Sequence, residues 1–103
     1  MKAIKILAER LKTDAMLLRE RVVEIYRSKG IAPEFWGMPD LLETLIQDLD
    51  QDKVSKKRME DHAYGIFRII TDGSVLENSE VGEALMGFRE RIREFGSTFG
   101  EDK

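Results

Sequence analysis

Residues 68–77, RIITDGSVLE, decide between two folds for this chain of 103 residues. The Asp-Gly pair at 72–73 stands between β-branched and aliphatic runs, which is typical of a tight β-hairpin turn. The residues before that pair follow a helical pattern instead. The apolar members of this pattern are Met59, Ala63, Ile66, Phe67 and Ile70. The sequence therefore predicts a helix that begins at Ser55 and ends at Asp72-Gly73, and a hairpin over 64–78 is the alternative.

Residues 2–29 contain the longest helical pattern in the chain. Apolar residues recur there at steps of three and four, separated by charged residues: Ile4, Leu7, Ala8, Leu11, Ala15, Leu18, Val22 and Ile25. No glycine or proline interrupts the pattern before Gly30, which we expect to cap the helix, and Pro33 follows. A helix of this length extends about 42 Å. That is longer than any later helix of the chain can cover.

Two shorter helices are predicted on either side of the third. The first covers about 40–50, with Asp40 as its N-cap, Glu43 completing a capping box, and a stripe of leucine and isoleucine residues. The last begins at Asn78 or Ser79 and closes at Gly96, with apolar residues at helical steps. Its stripe consists of Val81, Ala84, Leu85, Phe88, Ile92 and Phe95.

Four amphipathic helices predict an all-α fold, a small antiparallel four-helix bundle with a long N-terminal helix. Residues 1–96 are long enough for one domain, and we expect 97–103 to be a flexible tail. Glycines at 65, 82 and 87 fall inside predicted helices, where close approach of a neighbouring helix would explain them. A hairpin at 64–78 would instead produce a winged helix-turn-helix.

The composition excludes several classes of protein. Apolar residues make up 42 % and charged residues 36 % of the chain, which suits a folded domain and not a disordered one. There is no cysteine, which excludes disulfides, thiolate zinc sites and cysteine nucleophiles. Lys5 and Glu9 interrupt the apolar residues near the N-terminus, and no window approaches the roughly 18 apolar residues of a membrane span. We therefore expect a cytoplasmic protein that does not enter a membrane.

The charges are distributed in blocks along the chain. Residues 1–29 carry a net charge of +4, and residues 30–52 carry −6. The simplest interpretation is that these neighbouring segments attract each other within one fold. A nucleic-acid-binding surface would require a basic patch that the fold leaves uncovered.

The residues that could carry chemistry do not form a recognisable site. His62 is the only histidine, and Met59 stands three residues before it, where a di-iron bundle would have glutamate. Acidic residues at 48, 50 and 52 have the spacing of a calcium loop, but the sixth position is Lys53 and not glycine, and the twelfth is Met59 and not glutamate. We therefore expect no metal, no cofactor and no enzymatic activity.

Three adjacent basic residues favour the DNA-binding alternative. Lys56, Lys57 and Arg58 begin the third helix and could contact phosphates or base edges. Together with the hairpin, they would define a winged-helix transcriptional regulator. The net charge of −3 and the acids Glu60 and Asp61 directly behind these bases argue against nucleic-acid binding.

The segment FWGMPD, residues 35–40, places large apolar side chains in what the sequence predicts to be a loop. If the loop folds inward, Phe35 and Trp36 close one end of the bundle and bury large areas. If it faces outward, Phe35, Trp36 and Met38 bind a partner protein, since aromatic residues and methionine are enriched at interface centres. The acids around the segment favour a basic partner: Glu34, Asp40 and Glu43.

These features together predict a small non-catalytic protein-binding module. Its size, acidity and lack of catalytic residues suit a regulator or inhibitor of the antitoxin or immunity kind. The apolar stripe of the first helix is longer than the other helices, so a second copy could cover the excess. We therefore also expect a homodimer formed through this helix.

Overall fold

The computed structural model describes the backbone of residues 2–72 and 79–99 and the side chains of residues 5–71 and 81–99. Within these ranges there are four α-helices and no strand. They are α1 (Lys2–Ser28), α2 (Gly37–Asp50), α3 (Lys56–Asp72) and α4 (Ser79–Ser97), with a 3-10 turn at Pro33–Phe35. The predicted all-α fold with a long first helix is confirmed.

The predicted hairpin over 64–78 is wrong as far as the structure describes it. Residues 64–72 continue α3, and residues 73–78 lie outside the described part of the chain. Met59, Ala63 and Ile66 are all buried, and their spacing requires a helix. Burial of this helical face outweighs the local turn preference of the Asp-Gly pair. The winged helix-turn-helix alternative is therefore wrong as well.

Each helix packs against its neighbours in sequence, and α4 returns to pack against α1. Ion pairs between helices show that α1 and α2 are antiparallel. Lys12 of α1 pairs with Asp50 of α2 at 3.2 Å, and Arg19, further along α1, pairs with the earlier residue Glu43, also at 3.2 Å. The basic charge of the first segment thus faces the acidic charge of the second, as the charge blocks predicted.

The core runs along the inside of all four helices. It includes every residue of the predicted α4 stripe except Ala84, together with the inner faces of the other helices. Its largest fully buried side chains are Tyr26, Phe88, Met38, Leu42, Leu45, Met59 and Ile66. Within the described residues, no helix is both long enough and apolar enough to cross a membrane.

The ends of the helices follow local chemistry in most places. Gly30 has a φ of +73° and ends α1, as predicted. The predicted start of α3 at Ser55 is one residue early, because the helix begins at Lys56. Ser55 is its cap, since its Oγ accepts a hydrogen bond from the backbone N–H of Arg58 at 3.1 Å. Of the two predicted caps of α4, Asn78 lies outside the described residues, and Ser79 is the first residue of the helix.

The start of α2 corrects the prediction. The helix begins at Gly37, so Asp40 lies in its first turn and is not the N-cap. Trp36 is the cap residue and makes no hydrogen bond to the helix with its side chain. Glu43 completes no capping box, because the residue three positions before it is inside the helix, and it pairs with Arg19 instead.

The helix α4 and its following turn extend into the segment 97–103, which we predicted to be a flexible tail. Ser97 is still helical, and the backbone N–H of Phe99 donates to the carbonyl of Gly96 at 3.1 Å. The ring of Phe99 packs edge-on against Phe95, with centroids 5.1 Å apart. The last four residues, 100–103, lie outside the described part of the chain.

Two glycines mark close contacts between helices. A Cβ added to Gly96 would lie 2.8 Å from the Cβ of Met59, where α4 meets α3. A Cβ added to Gly65 would lie 3.0 Å from a methyl carbon of Leu41, where α3 meets α2. The predicted close approach is thus confirmed at Gly65. It is wrong at positions 82 and 87, where an added Cβ would meet nothing within 4 Å.

We expect Gly96→Ala to lower the free energy of unfolding by about 1–3 kcal/mol, because the Cβ of Met59 is attached to its backbone and cannot move aside alone. Gly82→Ala in the same helix is the matched control. It should raise the free energy of unfolding by about 0.5–1 kcal/mol, since alanine favours a helix and the site is open. Urea unfolding followed by circular dichroism measures both. Equal effects of the two substitutions would contradict the close packing of α3 on α4.

Candidate protein-binding surface

The predicted contact segment begins where α1 ends. The backbone N–H of Gly30 donates to the carbonyl of Arg27, and that of Ile31 donates to the carbonyl of Tyr26, both at 3.0 Å. This pair of bonds is a Schellman motif, which needs a residue with positive φ at the position of Gly30. The motif stops the helix and turns the chain toward the 3-10 turn.

Hydrogen bonds hold the backbone of the 3-10 turn around Phe35. Its N–H donates to the carbonyl of Ala32 at 2.9 Å, and the N–H of Trp36 donates to the carbonyl of Pro33 at 3.1 Å. The side chain of Phe35 is 71 % exposed, more than any other large hydrophobic side chain in the described part of the protein. A large apolar side chain is therefore presented to solvent on a hydrogen-bonded turn.

Trp36 occupies an intermediate position. Its Nε1 donates to the carbonyl of Ile31 at 2.8 Å, and its ring meets Tyr26 edge-on with centroids 6.3 Å apart. The guanidinium of Arg27 lies 5.7 Å from the centroid of the tryptophan ring. The side chain is only partly buried, so it joins the core to the surface next to Phe35 in the chain.

Tyr26 provides the buried side of this corner. It is 1 % exposed, and burial raises the pKa of its hydroxyl above the ordinary value of 10.0, opposed by a hydrogen bond with the backbone of Met38. Tyr26 was not among the predicted core residues. It connects the last turn of α1 to the first turn of α2.

Met38 does not belong to the candidate surface. Its side chain is 0 % exposed and lies in the core, so the predicted contact of Met38 with a partner is wrong for this fold. The reason is the early start of α2. Because the helix begins at Gly37, Met38 lies in its first turn on the same face as Leu42 and Leu45.

The predicted acidic surroundings of this segment are only partly present. Asp40 is exposed, and Glu34 lies in the exposed 3-10 turn. Glu43, however, is paired with Arg19, and the cation of Arg27 stands over Trp36. The surface beside Phe35 therefore combines two acids with one base.

The basic residues of the DNA-binding alternative lie in the first turn of α3. Arg58 pairs through Nη1 with the Asp48 carboxylate at 3.2 Å, which offsets its charge. Lys57 also has an interaction within the chain, and Lys56 is partly buried. The structure therefore places the three residues together but does not leave them as a free cationic patch.

His62 is the one buried polar side chain in the described core. It is 8 % exposed, and its Nε2 lies 2.7 Å from Oδ2 of Asp48 in α2. A carboxylate can only accept, so Nε2 carries the hydrogen. Among the described residues, no three histidine or acidic side chains come close enough to hold a metal ion. The contact therefore joins α2 to α3.

The surroundings of Asp48 set its acidity. Burial by itself raises the pKa of its carboxyl, but the hydrogen bond and charge of His62, together with Arg58, outweigh burial. The pKa therefore lies below the ordinary value of 3.8. The folded state favours the ionised form of this carboxyl.

Several exposed apolar side chains were not identified from the sequence. On α3 they are Tyr64 and Phe67, which are 60 % and 36 % exposed. On α1 they are Ile6, Leu7, Met16 and Leu17. For three of the four residues on α1, the sequence does indicate exposure. Ile6, Met16 and Leu17 fall outside the apolar stripe that predicts the buried face of this helix. Leu7 belongs to that stripe, and yet it is 40 % exposed.

Comparison with protein-family models, with curated proteins and with solved structures found no match to this chain.

We expect Asp48→Asn to lower the free energy of unfolding at pH 7 by about 1–2 kcal/mol, because it removes the charged partner of His62 and Arg58. The folded pKa of Asp48 lies below the unfolded one, so its stabilising effect is present above 3.8 and is lost as the pH falls through the lower folded value. The difference between the two proteins should therefore disappear in acid.

Urea unfolding at a series of pH values from neutral to about 2 measures this difference across the expected window. Asp61→Asn is the control, because Asp61 is exposed and lies next to His62 in sequence. It should change the free energy of unfolding by less than about 0.5 kcal/mol. A difference for Asp48→Asn that stays constant down to the lowest pH would contradict the assigned ion pair.

Proposed function

We propose that this protein is a small, non-catalytic, cytoplasmic protein-binding module that acts as a regulator or inhibitor of another protein, as antitoxins and immunity proteins do. The observation that supports this most is the exposure of Phe35 on a hydrogen-bonded turn. An exposed phenylalanine does not by itself indicate a binding site, since folded proteins expose many apolar atoms. It supports binding here because its backbone is held and a half-buried tryptophan follows it.

The order of the turn matters for affinity. Binding a partner normally includes a cost for ordering loops and side chains at the interface. The bonds from Phe35 to Ala32 and from Trp36 to Pro33 remove part of that cost, because the backbone is already fixed. Aromatic side chains that enter a partner pocket account for much of the binding energy of many interfaces. Phe35 is the residue that we propose enters such a pocket, with the accessible part of Trp36 beside it.

The charges beside Phe35 suit a pocket with a cationic rim. Glu34 and Asp40 are exposed and would face basic groups of the partner. Arg27 is held over the Trp36 ring, where its guanidinium would bind an acidic group of the partner at the edge of the same contact. We therefore propose a partner with an apolar pocket and a mainly basic border.

Self-association through α1 is the second part of the proposal. Four of the exposed large apolar side chains of the described chain lie on this helix. The DNA-binding alternative has no comparable support, because residues 64–72 are helical and Arg58 is paired with Asp48.

We expect Phe35→Ala to abolish partner binding while leaving the fold intact, since a side chain that is 71 % exposed contributes little to the core. Tyr64→Ala is the matched control, because Tyr64 is an aromatic residue of similar exposure on α3. Affinity capture from native extract, compared among the wild type and these two variants, identifies candidate partners. A partner should be retained by the wild type and by Tyr64→Ala, and lost with Phe35→Ala.

Direct binding of the purified partner should then be at least tenfold weaker for Phe35→Ala, which corresponds to the loss of about 1.4 kcal/mol or more. Unchanged binding would contradict the assigned surface. Salt-dependent binding of the wild type to random duplex DNA would contradict the protein-binding proposal as a whole and favour the nucleic-acid alternative.

A further inference from the structure

The outward face of α1 carries apolar side chains that nothing in the described part of the chain covers. Ile6 is 57 % exposed and Leu17 is 58 % exposed. At 100° per residue, Ile6, Thr13 and Leu17 lie within a narrow sector opposite the buried residues Leu11 and Ala15. A shallow depression of about 550 Å³ lies around Ile6, lined also by residues at 5, 9, 10, 13 and 14. The face thus combines a protruding leucine with a depression further along the same helix.

We propose that this face binds a second copy of the chain, with the two α1 helices antiparallel about a two-fold axis between residues 11 and 12. This inference gives a geometry to the self-association proposed above and does not depend on the Phe35 surface. In this register, Ile6 packs against the partner's Leu17, and by symmetry Leu17 packs against the partner's Ile6. Each leucine enters the depression of the other copy, so two apolar contacts form about 16 Å apart along the helix.

Charge complementarity supports this register. Lys5 and Glu20 lie on one edge of the face, and Arg10 and Asp14 lie on the other. About the same axis, Lys5 comes within two residues of the partner's Glu20, and Arg10 comes beside the partner's Asp14. Each pairing occurs twice, so four attractive contacts surround the apolar centre.

These groups are available to a partner. Within the described residues, Lys5, Arg10 and Glu20 make no ion pair, whereas Asp14 pairs with Arg91 at 3.0 Å and keeps a second carboxylate oxygen. A parallel two-fold arrangement would instead place the edge with Lys5 and Glu20 beside the partner's edge with Arg10 and Asp14. Lys5 would then be nearest the partner's Arg10 and Glu20 nearest the partner's Asp14, and both contacts would be repulsive. The charge pattern of this face therefore complements itself when two copies are antiparallel, and this favours a second copy of the chain over an unrelated helix as the occupant.

Charge reversal tests the register. Each of two single variants brings like charges together in the proposed dimer. Lys5→Glu places an acid beside the partner's Glu20, and Glu20→Lys places a base beside the partner's Lys5. We expect each variant to dimerise about tenfold more weakly than wild type at low salt, in analytical ultracentrifugation over a concentration series. An equimolar mixture of the two variants should recover wild-type affinity, because a mixed dimer has both pairs attractive again. The double variant Lys5→Glu/Glu20→Lys should recover it as well.

Single cysteines provide an independent measurement, since the chain has none of its own. Ile6→Cys mixed with Leu17→Cys should form a disulfide-linked dimer on mild oxidation, whereas either variant alone should form much less. Both residues are exposed, so neither substitution should unfold the chain, and circular dichroism verifies this. Leu17→Lys should weaken dimerisation by at least a hundredfold, and Tyr64→Ala should leave it unchanged.

The inference would be overturned by a wild-type protein that remains monomeric at millimolar concentration. It would also be overturned by a dimer whose affinity changes with neither charge reversal, or by single-cysteine variants that cross-link as well alone as they do when mixed. Phe35→Ala should dimerise like wild type. If the dimer forms as described and Phe35→Ala still binds every captured partner, the Phe35 surface is wrong and the α1 interface stands. If the wild type stays monomeric and Phe35→Ala loses its partner, the α1 interface is wrong and the Phe35 surface stands.

Discussion

The difference in length between α1 and α2 is the constraint on which the rest of the structure depends. At 1.5 Å per residue, the 27 residues of α1 extend about 40 Å and the 14 residues of α2 about 21 Å. The pair Lys12–Asp50 marks the end of α2, so the first turns of α1 continue beyond it. Beyond that point α4 packs beside α1, because Phe95 near the end of α4 and Thr98 just after it line the same groove as Leu7 and Leu11 of α1. The helix α1 therefore packs against two others, and on its outward side some apolar side chains are covered by no element of the described part of the chain.

The shorter helices are held together by contacts that depend on small or polar residues. Gly96 lets α4 approach the backbone of α3 at Met59, and Gly65 lets α3 approach Leu41 of α2. Near the Met59 contact, Asp48 of α2 contacts both His62 and Arg58 of α3. The cation of Arg58 therefore lies beside the acidic C-terminal end of α2 and offsets the unfavourable interaction of that acid with the helix dipole. A buried ion pair is weak evidence for stability, but removing one partner is costly. The pair therefore restricts how α2 and α3 can slide along each other.

Local chemistry explains which parts of this fold were predictable. Gly30 was identified from sequence as the end of α1 because a positive φ is a property of a single residue. Ser55 was predicted as the start of α3, and its hydroxyl caps that helix from the preceding position. The start of α2 at Gly37 was not identified from sequence, because no side chain caps its first turn. Pro39 also misleads, since proline is tolerated in a first turn where its missing N–H has no intrahelical partner.

The candidate surfaces were harder to predict, because they depend on tertiary geometry. Three residues that are close in sequence differ in exposure: Phe35 is exposed, Trp36 is half-buried and Met38 is fully buried. The partner of His62 is 14 residues away on another helix, whereas its sequence neighbour Asp61 is exposed. No periodicity within one helix contains that information. The residues Ile6 and Leu17 were visible in the sequence as exceptions to the α1 stripe, but their exposure became meaningful only once α2 and α4 were placed.

The two proposed surfaces have a geometric consequence when they are considered together. The Phe35 corner follows the C-terminal end of α1, about 17 helical residues, or some 25 Å, from the proposed two-fold axis near residue 11. An antiparallel dimer therefore places its two Phe35 corners at opposite ends, some 50 Å apart. A binder with two such ends gains from effective concentration only if its partner presents two sites at a matching distance. Under both proposals, only a partner that is itself dimeric or repeated would gain affinity from the α1 dimer, and a monomeric partner would bind the dimer no more tightly than a single copy.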